Sequence, residues 1–158
     1  MTAEGRTIQN SANITLALCF LLALMEGLDL QSMGVAAPMM REAFHLEPNQ
    51  LGMAFSAATL GTLPGALLAG KMADMYGRKP ILIVNTILFG LMSVLTAHAA
   101  SFPLLLGARF LTGLGLGGAL PILITMATEA VSPKWRGTAV SVMYCGVPAG
   151  GIITSLVA

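Results

Sequence analysis

Residues 102–128 read FPLLLGARFLTGLGLGGALPILITMAT, a run in which Arg109 is the only charge. A helix of roughly 20 apolar residues crosses a hydrocarbon core of about 30 Å, and this run is longer than that. The rest of the chain has the same character. Apolar residues make up 56% of the sequence and charged residues 9%, with a mean hydropathy of +0.82. A soluble domain carries about a quarter of its residues as charge. A chain this poor in charge cannot cover its own surface in water and is solvated by lipid instead.

Working outward from this run, four more apolar stretches are long enough to span, giving crossings at 14–37, 51–72, 80–98, 102–128 and 138–157. Residues 1–13 are left as a short cytoplasmic segment ahead of the membrane part, 14–158. The expected connectors are short and rich in turn residues: Glu47-Pro48-Asn49, Met75-Tyr76-Gly77-Arg78-Lys79-Pro80, Ala100-Ser101-Phe102-Pro103 and Ser132-Pro133. Links this short make consecutive helices antiparallel neighbours, so the fold class is an all-α membrane bundle. The first crossing is too long for the apolar region of a signal peptide. It lacks a small-residue cleavage site and contains Glu26 and Asp29, so it reads as a helix of the mature protein.

Orientation follows from lysine and arginine. With the N-terminus inside, the cytoplasmic segments hold Arg6, Lys71, Arg78, Lys79, Lys134 and Arg136, whereas the outer loops hold Arg41 alone. The expected N-terminus is therefore cytoplasmic. A formal net charge of +1 offers no basic stripe for nucleic-acid phosphates. Cys19 and Cys145 lie in apolar runs and read as packing residues, with no C-x-x-C pattern. His45 and His98 are isolated in short loops, so neither a metal nor a cofactor is expected. No Ser/His/Asp set or phosphate loop suggests an enzyme.

Small residues recur at helix-packing spacing in Gly61/Gly65, Gly113/Gly117 and Gly146/Gly150, each a G-x-x-x-G pair that lets backbones approach closely in lipid. Gly113, Gly115 and Gly118 also satisfy the dinucleotide pattern G-x-G-x-x-G. That pattern needs a strand before it and a βαβ unit around it. Here it lies inside a membrane helix, and a nucleotide site is excluded.

Ionisable groups within a crossing are costly and point to function. Glu26 and Asp29 are three residues apart and share a helix face. Counted from the outer ends of their crossings, Asp29 and Arg109 both lie roughly 10–12 Å deep, which permits a pairing between them. One reading is a structural ion pair that fixes two helices. The other is a water-filled pathway with titrating carboxylates, in which burial disfavours the charged form and a nearby arginine favours it. Glu26, nearer the midplane, is the stronger candidate for the group that changes protonation. Arg109 alternatively holds an anionic substrate carboxylate. The loop after the second crossing reads Gly70-Lys71-Met72-Ala73-Asp74-Met75-Tyr76-Gly77-Arg78-Lys79-Pro80. Asp74 and Arg78 can pair across it, or the acid can meet a helix N-terminus.

This loop resembles the G-x-x-x-D-x-x-G-R-K signature between helices two and three of the major facilitator superfamily. Met75 stands where a basic residue is common, a departure that touches one link of the loop's charge relay and not the assignment. Arg109, Gly113 and Gly115 are similar to the family's R-x-x-x-G-x-G stretch in helix four, and 146–151 resembles its Gly-Pro motif in helix five. Glu26-Gly27-Leu28-Asp29 resembles the D-G-x-D of the aromatic acid:proton symporters, with Glu replacing the first Asp. Glu129 and Arg136-Gly137 resemble that group's fourth-to-fifth helix junction.

The resemblance implies a multi-pass protein of the bacterial inner membrane, in which two six-helix halves rock around a central site lined by helices one and four. It implies symport of protons with a small aromatic carboxylate, such as a hydroxyphenylpropionate or hydroxybenzoate. Glu26, Asp29 and Arg109 then line the pathway. Gly70, Asp74, Gly77, Arg78 and Lys79 form a cytoplasmic gating motif, and Glu129 with Arg136 a second cytoplasmic latch. The family has about twelve helices, so this sequence is expected to be the front part of the first half and to need the missing C-terminal half. Cells expressing these residues alone should accumulate no labelled hydroxyphenylpropionate, and clear accumulation would overturn that expectation. Two alternatives stay open at this level: a carrier of a sugar, quaternary amine or drug, and a non-transporting membrane scaffold.

Overall fold

The structure, a computed structural model, describes residues 3–157, with side chains described from residue 12 onward. The side chain of Arg6 and the first two residues of the 1–13 segment lie outside the described residues. The elements are α1 (Ala3–Phe44), α2 (Pro48–Tyr76), α3 (Arg78–Ala97), α4 (Phe102–Glu129), a 3-10 turn (Pro133–Trp135), α5 (Arg136–Tyr144) and α6 (Gly146–Val157). Among the described residues there is no strand. Five segments are long and apolar enough to cross a membrane: Ala12–Phe44, Pro48–Tyr76, Arg78–Ala97, Phe102–Glu129 and Pro133–Val157.

The helices overrun the apolar runs because capping groups, and not hydropathy, set their ends. At the start of α2, Pro48 occupies the first turn, where its missing N–H costs nothing. The Glu47 N–H donates to Gln50 Oε1 at 2.9 Å, which satisfies a donor at the helix entrance. At the end of α1, the Leu46 N–H donates to the Arg41 carbonyl (3.0 Å) and the His45 N–H to the Glu42 carbonyl (3.4 Å). These two bonds form a Schellman cap.

The connector expected over 75–80 shrinks to a single residue. Met75 and Tyr76 finish α2, Arg78 begins α3, and Gly77 alone reverses the chain at φ 90, ψ 155. That backbone region belongs almost only to glycine. Gly77→Ala is expected to cost about 1–3 kcal/mol, read as a lower thermal midpoint in detergent. An unchanged midpoint would show that the turn tolerates a Cβ.

The last crossing is interrupted at Cys145. Pro148 has no N–H, so the carbonyl four residues earlier, that of Tyr144, loses its usual donor. The ladder holds on either side, through Cys145 N–H to Ser141 O (3.0 Å) and Ala149 N–H to Cys145 O (3.2 Å).

The chain forms two compact units. One comprises the chain up to Ser32 together with the chain from Leu123 on, and the other is Met33–Ile122. In the first unit, α1 and α6 meet backbone to backbone. A Cβ at Gly27 would overlap the Val147 carbonyl, and one at Gly150 would overlap that of Leu24. Gly146 lies against Phe20, Ala23 and Leu24. Thr154 Oγ1 donates to the Leu28 carbonyl (3.4 Å), and Cys19 Sγ to that of Leu123 (3.9 Å).

In the second unit, α4 is clasped from two sides, and the glycine pattern divides accordingly. Gly113 and Gly117 abut Ala58 and Thr62 of α2, while Gly61 and Gly65 of α2 abut Phe110 and Leu114. Gly115 abuts Asn85 and Phe89 of α3, and Gly118 meets both Ala69 of α2 and the Asn85 side chain. The pattern that imitates a nucleotide motif is a helix narrowed on two faces. Lipid tails are as apolar as the side chains, so this close dispersion packing is what holds such helices together. Met33, Ala54 and Leu105 form the buried cluster beside it.

Candidate functional site

Glu26, Asp29 and Arg109, the charges singled out deep within the crossings, are all buried. Glu26 is 7% exposed, Asp29 8% and Arg109 4%. Glu26 and Asp29 lie one turn apart on α1, in the first unit. Gly27, next to Glu26, allows the chain to lie directly on Val147, so this turn is fixed by backbone packing. The Ser32 hydroxyl donates to the main-chain carbonyl of Asp29 at 2.8 Å. Glu26 Oε2 is fully buried and accepts no hydrogen bond. A buried polar atom with no partner costs on the order of 1–3 kcal/mol. Stability therefore does not explain Glu26.

Arg109 is on α4 in the second unit. It shares a helix face with Leu105 (0% exposed) and Thr112 (1% exposed), and the Thr112 hydroxyl is spent on the Ala108 carbonyl at 2.8 Å. Helix ends do not carry the matching-depth argument for Asp29 and Arg109. Because α1 continues to Phe44, Asp29 lies about 22 Å from its end, whereas Arg109 lies about 10 Å from the start of α4. The added turns contain Pro38, Arg41 and Glu42.

The gating-motif residues lie around the Gly77 turn. Asp74 and Lys79 are exposed, Arg78 is half-buried, and Gly70 has open space around it. At the other junction, Glu129 ends α4 and Arg136 begins α5, both exposed. Between them, Lys134 Nζ sits 6.0 Å from the centre of the Trp135 ring. Four of these charges oppose the dipole of their own helix: Asp74 and Glu129 at C-terminal ends, Arg78 and Arg136 at N-terminal ends. Each such placement costs about 0.3–1 kcal/mol, so helix stability does not account for them.

Among the described residues, no three His, Cys, Asp or Glu side chains gather into a metal-binding group. Sequence reasoning passed over Asn85, which is 7% exposed on α3 against Gly118. A carboxamide in the otherwise apolar run 80–98 was the available signal. It also passed over the cavity at the end of α1, lined in part by Arg41, Glu42 and His45.

Residues 19–158 match the Major Facilitator Superfamily. The chain belongs to that superfamily. As a superfamily member it is a multi-pass membrane protein, and its five membrane-capable helices are the N-terminal part of the superfamily bundle. The chain is 57% identical to the 3-(3-hydroxy-phenyl)propionate transporter of Escherichia coli over 90% of its own length and 35% of the relative's. It is 41% identical to the 4-hydroxybenzoate transporter PcaK of Pseudomonas aeruginosa over 84% of its length and 30% of the relative's. It is 35% identical to the gallate transporter of Pseudomonas putida over 93% of its length and 33% of the relative's. The chain thus spans about a third of the length of these relatives, and the activity they share by name is transport.

Proposed function

We propose that this superfamily member is part of a proton-coupled carrier of small aromatic carboxylates in the bacterial inner membrane, with its N-terminus in the cytoplasm. The burial of Glu26, Asp29 and Arg109 in otherwise apolar helices carries the reading, since intramembrane charge is retained where a solute or proton path needs it. The substrates for which the relatives are named support the solute class, because each joins an aromatic ring to a carboxylate. The excess of lysine and arginine in the proposed inner segments supports the orientation.

In this reading Arg109 takes the substrate carboxylate, for which its planar fork of donors is suited. Glu26 and Asp29 carry the proton that travels with the anion, so that the site never crosses the apolar layer with an uncompensated charge. The charges that oppose their own helix dipoles, Asp74 and Arg78 with Gly70, Gly77 and Lys79 around them, and Glu129 with Arg136, act as cytoplasmic latches. They are held for partners made in one state of an alternating-access cycle and lost in the other.

A joined carrier tests this: residues 1–158 placed ahead of the part of the E. coli relative that lies beyond the match, in cells without other aromatic-acid uptake. Labelled 3-(3-hydroxyphenyl)propionate should accumulate, and a protonophore should abolish the accumulation. Normal membrane abundance with no uptake of any aromatic carboxylate would contradict the proposal.

A further inference from the structure

A cavity of about 680 Å³ lies within the second unit at the end of α1, lined by Gly34, Ala37, Pro38, Arg41, Glu42, His45, Leu46 and Leu51. It stands at the opposite end of α2 from the Gly77 turn, a 29-residue helix away. Gly34, Pro38, Arg41 and His45 follow helical spacing along one stripe of α1, and a side chain added at Gly34 would meet nothing within 4 Å. Arg41 and His45 are both exposed, whereas Leu46 beneath them is buried at 5% exposure.

His45 is in the wrong place for stability. It occupies the left-handed position of the Schellman cap at φ 51, the one non-glycine residue with positive φ among those described. Helices ordinarily put glycine there, since a Cβ in that conformation costs roughly 1–2 kcal/mol. Backbone strain that a common substitution would relieve points to a use for the side chain. The use is legible in the lining. A guanidinium and an imidazole stand one turn apart, an acid is beside them, and Ala37, Pro38, Leu46 and Leu51 supply apolar wall.

Resting on the substrate class proposed above, we propose that this cavity is a receiving site for a hydroxylated aromatic carboxylate on its way to the buried charges. Arg41 and the imidazole N–H of His45 hold the carboxylate, the apolar wall takes the aromatic ring, and Glu42 accepts a hydrogen bond from the ring hydroxyl. The cavity falls within the 300–1,000 Å³ common for small-molecule sites.

The chain has two histidines, and this makes the site directly readable. His98 caps α3, with its Nδ1 3.0 Å from the Val94 carbonyl, and serves as the internal control. With histidine isotopically labelled and the 158-residue chain in lipid nanodiscs, titration with 3-(3-hydroxyphenyl)propionate should shift the His45 ring resonances saturably and leave those of His98 still. The neutral amide of the same acid should have no effect. Arg41→Gln should weaken the titration about five-fold or more, as expected for losing one charge-assisted hydrogen bond at an exposed site. Equal shifts at both histidines, an equal response to the amide, or an unchanged titration in Arg41→Gln would each overturn the proposal.

His45→Gly provides the second arm, because it favours the cap and is expected to fold. In the joined carrier it should raise the thermal midpoint and raise KM for uptake about five-fold with the maximal rate unchanged. An unchanged KM overturns the receiving site. If the nanodisc titration behaves as expected and the joined carrier takes up no aromatic carboxylate, the carrier reading fails and the anion site stands.

Discussion

Glu26→Gln in the joined carrier is expected to lower uphill accumulation on the order of 100-fold, the size of the loss when a positioned proton-transfer group is removed, while membrane abundance stays normal. The substitution is isosteric, and the wild-type Oε2 makes no hydrogen bond that the amide could forfeit. If Glu26 serves only helix assembly, Gln fills the same volume and transport survives. If it carries the proton, net uptake fails whereas exchange of external for internal substrate continues, since exchange needs no net proton movement. Asp29→Asn, one turn away and equally buried, should act in the same direction. Lost transport at normal abundance supports coupling. Lost abundance assigns the pair to assembly. Full accumulation in Glu26→Gln would remove it from the pathway.

Gly113→Leu is expected to deplete the folded protein from the membrane, and Gly107→Leu, on the same helix, to leave it nearly unchanged. At Gly113 even a Cβ would overlap the Ala58 carbonyl of α2, and backbone cannot step aside as a side-chain tip can. Overpacking a core usually costs about 1–3 kcal/mol, and a clash against backbone lies at or above the upper end. Two tightly packed helices in lipid have no compensating hydrophobic term to draw on. Gly107 is exposed with nothing within 4 Å of an added Cβ. Immunoblot abundance and detergent melting of the two variants, side by side, check this. Equal behaviour of the pair would contradict the two-sided clasp on α4.

Hydropathy and glycine spacing made much of this architecture readable. Five crossings follow from runs such as 102–128, and the pairs Gly61/Gly65, Gly113/Gly117 and Gly146/Gly150 all lie where helix backbones meet. Helix ends were not readable in the same way, because an α-helix continues past the apolar layer until a cap stops it. So α1 reaches Phe44 and its Schellman cap, and α2 and α3 are separated by Gly77 alone. The interruption at Cys145 follows from Pro148, but a proline inside a helix does not always break it: Pro38, Pro64 and Pro121 sit inside α1, α2 and α4 without interrupting them. Of the candidate site, the three costly charges were visible as charges in apolar runs. The double role of Gly115 and Gly118 was hidden because spacing says that helices approach, not which helix approaches which face. His45 was hidden because a left-handed cap is normally announced by glycine.

The most direct test of the coupling claim is the steady-state accumulation ratio of 3-(3-hydroxyphenyl)propionate in vesicles holding the joined carrier, measured against an imposed pH difference at zero membrane potential. One proton moving with each anion predicts a ratio that rises about tenfold per pH unit, since each unit is worth 1.36 kcal/mol, and that stays at one without a pH difference. A ratio indifferent to the pH difference, at undiminished rates of entry, would contradict proton coupling through Glu26 and Asp29.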